Sequence, residues 1–242
     1  MIALMPIAAL PALPLMAVYI LAAVLPALLL MLYIYRQDAV EKEPATLLLS
    51  LGALGALAAL IALALEGLGR RLIDTLVRPG TALHTLLIAF LVVAAVEEGA
   101  KLFPLRRRTW GEPNFNYSFD AVVYAVFVSL GFAAFENLRY VLAFGLGVAL
   151  PRAVLAVPGH MGFAVVMGAF YGRARLKKSR GQMGWPSLLL AYLLPVALHG
   201  IYDACCMLGT AWATLLFALF VCVLYLSVYR LIRTQADADV PV

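Results

Sequence analysis

Residues 84–103 read "HTLLIAFLVVAAVEEGAKLF". An apolar run long enough for most of a membrane helix ends in two adjacent carboxylates, with a lysine one turn further on. Were this run in a bilayer, Glu97, Glu98 and Lys101 would stand where lipid should be, at a cost of about 2.5–3.5 kcal/mol per charge on insertion scales. The rest of the chain says that it is. Of 242 residues, 65% are hydrophobic and 13% charged, and the mean hydropathy is +0.98. Globular domains run at roughly 45–50% apolar and about 25% charged. A soluble core of this size has no room for the excess, so a bilayer must solvate it.

A crossing needs about 20 mainly apolar residues. Runs of that kind predict seven spans, near 11–35, 46–66, 83–105, 119–143, 152–174, 185–206 and 211–231. Nothing of domain size is left between them, so the expectation is one all-α, polytopic transmembrane helix bundle over residues 1–242. The N-terminal run lacks a basic leader and continues to Tyr35, which reads as a retained first span and not as a signal peptide. Residues 1–10 are also apolar, and offer room for a re-entrant piece or a short eighth crossing.

Lysine and arginine set the orientation. With the N-terminus outside, twelve fall on inner segments: Arg36, Lys42, Arg106 to Arg108, the cluster between Arg173 and Arg180, Arg230 and Arg233. Four fall outside: Arg70, Arg71, Arg78 and Arg152. That bias predicts N-terminus out and C-terminus in by the positive-inside rule. The formal charge of +5 is therefore a topology signal and gives no reason to expect nucleic acid. Cys205, Cys206 and Cys222 all lie in apolar spans and make neither a disulfide framework nor a metal-spacing motif. "SLGALGALAAL" and "GAFYG" place small residues a turn apart, which lets helices approach closely.

Span three is not alone in carrying polar groups. Glu136 and Arg139 lie in span four, His160 in span five, and His199 and Asp203 in span six. Such residues by default face a bundle interior and mark a functional site. Lys101 is four residues from Glu97 and three from Glu98, so it can reach either carboxylate. Adjacent glutamates point about 100° apart, which predicts that one faces a cavity while the other is held by Lys101 or a neighbouring helix. His199 and Asp203 are again four apart. Pro158 and Gly159, just before His160, predict a loosened helix there. Each group has a plainer reading as structural glue: a Glu–Lys pair, a Glu136–Arg139 ion pair, a hydrogen-bonded core histidine. Asp120, at the mouth of span four, reads as a helix-start carboxylate favoured by the dipole. Four consecutive spans each bringing such groups favours a shared site.

Carboxylates in different settings can divide into an acid and a base. A carboxylate of suitable basicity deprotonates water for attack on an amide carbonyl, and imidazoles can donate to the oxyanion that develops. Neither GxSxG nor HExxH occurs. Amide hydrolysis inside the membrane by carboxylate-activated water is the reaction class that fits, with no cofactor and no metal expected.

"EEGAK" fits an EExxK motif, "FAAFE" an FxxxE motif and "HGIYD" an HxxxD motif, with "GH" on the span between. In this order they resemble the PrsW family of glutamic-type intramembrane proteases, within the CAAX-protease and bacteriocin-processing clan. The similarity covers roughly residues 90–205, and "FDAVVYAVFVSLGFAAFENLRYV" resembles the family beyond its polar positions. The resemblance implies a bacterial inner-membrane endopeptidase that cuts membrane-anchored proteins, such as a single-span anti-sigma factor, without a covalent intermediate. It implies Glu97 as general base and Glu98 as its electrostatic partner fixed by Lys101. Glu136 would hold or protonate water and substrate, His199 would stabilise the oxyanion with Asp203 behind it, and His160 would be a second donor, with Arg139 in support. Related prenyl-protein proteases carry histidine where Glu136 stands, which counts against a prenylated substrate. Two rival readings remain open: metal-dependent hydrolysis in the same cavity, and a non-enzymatic transporter or scaffold with an intramembrane charge network.

Overall fold

The computed structural model describes residues 13–242. The short segment considered for an eighth crossing, residues 1–10, lies outside them. Among the described residues the chain is helical throughout, apart from an isolated antiparallel bridge between Tyr117 and Pro241. We number the long helices in chain order: α1 Leu13–Gln37, α2 Ala45–Leu76, α3 over residues 82–109, α4 Asp120–Phe144, α5 over residues 149–179, α6 Trp185–Leu208 and α7 Ala211–Asp237.

Six of these are long and apolar enough to cross a membrane: α1, α2, α4, the stretch Leu146–Ser179 that contains α5, α6 and α7. The seventh expected span, α3, has the length but carries Glu97, Glu98 and Lys101 in its second half. Leucines such as Leu21, Leu57, Leu215 and Leu219 remain exposed along the outer helices, as a lipid-facing surface requires. Four of the helix connections are short, and Gly145 and Gly209, with φ of +83° and +62°, make two of the reversals. Glycine adopts this left-handed conformation without the Cβ clash that other residues meet.

At the centre stands α4. It is buried over most of its length, where the peripheral α1 and α7 are mainly exposed. Glycine makes this possible. A Cβ on Gly55 would lie 1.9 Å from the Val128 carbonyl oxygen, and one on Gly131 would lie 2.0 Å from that of Gly52. On the other side, a Cβ on Gly168 would come within 2.5 Å of the Val122 Cα, and one on Gly172 within 2.6 Å of the Ser118 carbonyl oxygen. The two small-residue stretches read from the sequence thus bring α2 and α5 into backbone contact with different parts of α4.

Two helices change pitch just before a polar residue. In α3, Ile88–Ala94 is a π-helix followed by the α-helical Ala95–Thr109. In α5, Arg152–Ala156 is a π-helix followed by Val157–Ser179. The wider turn inserts an extra residue and rotates everything downstream. The loosening expected at Pro158 and Gly159 therefore falls a turn earlier. Pro158 sits in the first turn of the α-helical segment, where its missing N–H is tolerated, and the helix continues through Gly159 and His160.

Candidate active site

Lys101 is the hub around which the polar residues gather. Its ammonium lies 3.2 Å from Glu97 Oε2, 2.8 Å from Glu98 Oε1 and 3.1 Å from His160 Nδ1. It also sits 4.3 Å above the centre of the Phe132 ring, whose electron-rich face attracts a cation. Lys101 is only 1% exposed; a buried ammonium needs this full set of partners.

An ammonium can only donate. His160 Nδ1 therefore accepts from Lys101, its proton sits on Nε2, and Nε2–H donates to Glu136 Oε2 at 3.0 Å. The Ser129 hydroxyl holds the His160 carbonyl at 2.9 Å, tying this turn of α5 to α4. Glu136 is held a second time by Arg152, whose Nη2 is 2.9 Å from the same carboxylate oxygen. Arg152 Nε donates to Asn137 Oδ1 at 2.9 Å, and Asn137 Nδ2 donates to the Ala23 carbonyl of α1 at 2.7 Å. A Glu136–Arg139 ion pair was the local expectation. In the structure Glu136 pairs instead with Arg152, at the start of the π-helical segment Arg152–Ala156, while Arg139 lies beside the Tyr140 ring.

His199 completes the group from α6. Its Nδ1 is 2.9 Å from Glu98 Oε1; its Nε2 is 3.5 Å from Asp203 Oδ2 and 4.0 Å from Glu97 Oε2. Nδ1 is thus hydrogen-bonded to a carboxylate, while Nε2 faces two others at ion-pair distance. The ring stacks on Phe163 with centroids 4.8 Å apart, and lies 5.4 Å from the ring of His160. A side chain at Gly200 would collide with the Phe90 ring, so the glycine after His199 lets α6 press against the π-helical turn of α3. Tyr192 adds a hydrogen bond to the Ala95 carbonyl at 3.0 Å.

These residues wall a cavity of about 240 Å³. Glu97, Glu136, His160, His199 and Asp203 line it; Glu98 and Lys101 do not. Of the two adjacent glutamates, Glu97 is the one that meets the cavity, and Glu98 is buried behind it on Lys101 and His199. Arg70, Phe144 and Met207, near the ends of α2, α4 and α6, also line the space, so it extends towards the face where those helices finish. Among the described residues, Arg139 touches the cavity without a hydrogen bond or ion pair to the others, and Asp203 is joined by its 3.5 Å ion pair with His199 alone.

Sequence reasoning missed Arg152 and Glu66. Glu66, buried in α2, lines the cavity beside Glu97 and Glu136. It was read as the last residue of a span. In fact α2 runs ten residues further, to Leu76, which carries Glu66 inside the bundle. Arg152 counts in the sequence as an outer charge at the start of span five, with nothing there to tie it to Glu136.

Glu97, His160 and His199 each offer one ligating atom within 4.8 Å of the other two. A carboxylate between two imidazoles, at the wall of a cavity inside a helix bundle of membrane character, is an arrangement for hydrolysis. Residues 43–229 match the PrsW family of intramembrane metalloproteases. The chain belongs to the PrsW family. It is 31% identical to Protease PrsW of Clostridioides difficile over 209 residues, covering 85% of this chain and 86% of that one. It is 32% identical to Protease PrsW of Geobacillus kaustophilus, covering 88% and 89% respectively. To Protease PrsW of Bacillus subtilis it is 31% identical, over 75% and 79%. No solved structure matches the chain. Membership in the PrsW family makes this an integral membrane protein and a protease.

The family description includes a metal, and the donors suit one in kind. Two imidazoles and a carboxylate form the set used by hydrolytic zinc sites. His199, bonded through Nδ1 to Glu98 with Nε2 towards the cavity, has the outer-carboxylate support typical of a ligand. Against this, Lys101 already takes a lone pair from both Glu97 and His160.

Proposed function

We propose that this chain cleaves membrane-anchored proteins by glutamate-activated water, with Glu97 as general base. The observation that carries the reading is the convergence of Glu97, His160 and His199 at the wall of one buried cavity. Water bound in that cavity gives its proton to Glu97 as its oxygen attacks the carbonyl carbon. His199 Nε2–H donates to the oxyanion, with the Asp203 carboxylate 3.5 Å away to steady its charge. Collapse breaks the C–N bond, and Glu97 returns the proton to the departing amine, leaving a new carboxylate and a new amino group. General base catalysis of this kind contributes typically 10²–10⁴-fold, and a pre-aimed donor at the oxyanion about 10²–10³-fold.

Glu98 and Lys101 act as positioning residues. Lys101 holds the Glu97 carboxylate, and Glu98 orients His199. His160 has both nitrogens engaged, on Lys101 and Glu136, so we assign it to holding Glu136 and not to a second donor role. Glu136, fixed by Arg152 and His160, presents its carboxylate to bound water or to substrate amide hydrogens. The cavity's extension towards the ends of α2, α4 and α6, which the lysine and arginine bias places outside, supports entry of substrate from the outer half of a bacterial cytoplasmic membrane. A single-span protein such as an anti-sigma factor is the substrate class that fits such an entry.

The donor set favours one second reading. Glu97, His160 and His199 would hold a divalent metal, once Lys101 is withdrawn from the first two. Such an ion would act as a Lewis acid and lower the pKa of a bound water. Comparative membrane proteomics of cells carrying the wild type or Glu97→Gln tests the function itself. A single-span protein should accumulate uncut in the variant. Identical membrane proteomes would remove the assignment.

A further inference from the structure

A second polar cluster lies away from the cavity and shares no residue with it. Asp38 follows the end of α1, Glu43 precedes Pro44 at the start of α2, and Asp120 opens α4. They are 1%, 3% and 1% exposed, and one carboxylate oxygen from each lies within 4.8 Å of the other two. Asp120 comes from a segment about eighty residues distant from the others, so local helix rules do not explain the meeting. Three carboxylates this close and this dry repel one another unless protons or a cation neutralise them.

The partners present do not do so. The Tyr124 hydroxyl donates to Glu43 Oε2 at 2.6 Å. Backbone N–H groups of Asn116 and Tyr117 donate to Asp120 Oδ2 at 3.0 and 2.7 Å. These are neutral donors. The nearby cation, Lys42, points its ammonium at the carbonyl oxygens of Tyr35 and Asp38 and forms no carboxylate ion pair. Two more carboxylates stand close by: Glu41, which accepts from Asn116 Nδ2, and Asp239, which accepts from the Ser118 hydroxyl and the Phe119 N–H. Among the described residues, Asp38 Oδ2 is buried without any hydrogen-bond partner, and so is Asn116 Oδ1. Buried oxygens of this kind ordinarily have a partner, and each exception asks for a reason such as an ion.

We propose that Asp38, Glu43 and Asp120 bind a hard divalent cation, Mg²⁺ or Ca²⁺, at a site distinct from the catalytic cavity. The donors are all oxygen, with no nitrogen or sulfur among them, which selects hard ions over zinc or copper. The ion would supply the partner that Asp38 Oδ2 lacks. It would also join the α1–α2 connection to the first turn of α4, beside the C-terminal tail that Asp239 fastens to Phe119. Its role is structural: it fixes the end of the central helix against which α2 and α5 pack.

The test uses the full-length chain in detergent, stripped with EDTA and then titrated separately with MgCl₂ and CaCl₂. Bound ion is counted by equilibrium dialysis and stability followed by thermal melting. One ion per chain is expected, with a rise in Tm of roughly 5–10 °C at a hundredfold excess over Kd. Asp38→Asn and Glu43→Gln should each weaken binding at least tenfold, and Glu97→Gln should leave the ion count unchanged. Stripped Asp38→Asn protein should melt no lower than stripped wild type, because a repelling charge has gone. Absence of saturable binding at millimolar ion would overturn the proposal and assign neutralisation to protons. Undiminished binding by both cluster variants would overturn it as well, placing the ion elsewhere.

Discussion

The ammonium of Lys101 on α3 lies 3.1 Å from Nδ1 of His160 on α5. This contact fixes the tautomer of the histidine, joins the EExxK lysine to a residue 59 positions away on another helix, and is the middle of three hydrogen bonds that link Glu97 to Glu136. Removing one partner from a buried ion pair costs about 3–5 kcal/mol, because the other charge is left uncompensated. Lys101→Met should therefore lower Tm markedly and abolish cleavage. Melting and cleavage assays on purified protein check both; unchanged stability would show that Lys101 is not the hub.

Arg152 acts at longer range. It holds Glu136 and Asn137 together, while the Asn137 bond to Ala23 does not depend on it. Arg152→Gln should stay folded with a lowered Tm, since Glu136 loses its ion-pair partner, and should cleave about a hundredfold more slowly, the usual penalty for a misplaced reacting group. A substrate cleavage rate equal to wild type would remove Arg152 from the site.

Much of this was legible in the chain, for reasons that also explain the misses. Glu97, Glu98, Lys101, His199 and Asp203 follow i, i+3 and i, i+4 spacing, and "SLGALGALAAL" and "GAFYG" announce close packing one turn at a time. Those are local regularities of a helix. Arg152 reaches Glu136 through a π-helical segment and from another helix, so no periodicity points to it. Glu66 was hidden by Arg70 and Arg71, which read as the end of a span although α2 continues to Leu76. What joins Glu97 to Glu136, Lys101 with His160, crosses to a third helix, α5, and so escapes any spacing rule.

Packing offers a sharp contrast between glycines. Gly131→Val should exceed the about 1–3 kcal/mol typical of an overpacked core, since even a Cβ there meets the Gly52 carbonyl oxygen. Gly67→Ala, also in helix but with nothing within 4 Å of its Cβ, should be neutral or stabilising by up to about 1 kcal/mol. Thermal melting of both variants in one detergent checks the pair.

The acidic cluster predicts a pH dependence when divalent ions are withheld. Burial pushes Asp38 from 3.8 up to about 6 and Glu43 from 4.5 up to about 7. At Asp38, Lys42 opposes the shift while Asp239 and Glu41 add to it; at Glu43, hydrogen bonds from Tyr124 and with Asp120 oppose it while Asp38 and Glu41 add to it. Folding raises these values, so between about pH 4 and 7 the folded chain binds more protons than the unfolded one. The stability gained from those protons is present at low pH and is lost as pH rises through 6 and 7. Tm in EDTA should fall across that window, and Asp38→Asn should flatten the fall. A Tm that rises from pH 5 to 7 by the same amount in both proteins would contradict this.

The central claim is that the Glu97 carboxylate primes a water molecule without help from a bound metal. Its most direct test is the single-turnover cleavage of a membrane-anchored substrate by metal-depleted wild type and by Glu97→Gln, with metal content measured on the same samples. The account predicts that wild type cuts at full rate with far less than one metal per chain, and that Glu97→Gln loses at least about a hundredfold while melting as a folded protein. A wild type that stops when metal is removed and recovers when zinc is returned, or a Glu97→Gln protein that cuts at the wild-type rate, would contradict it.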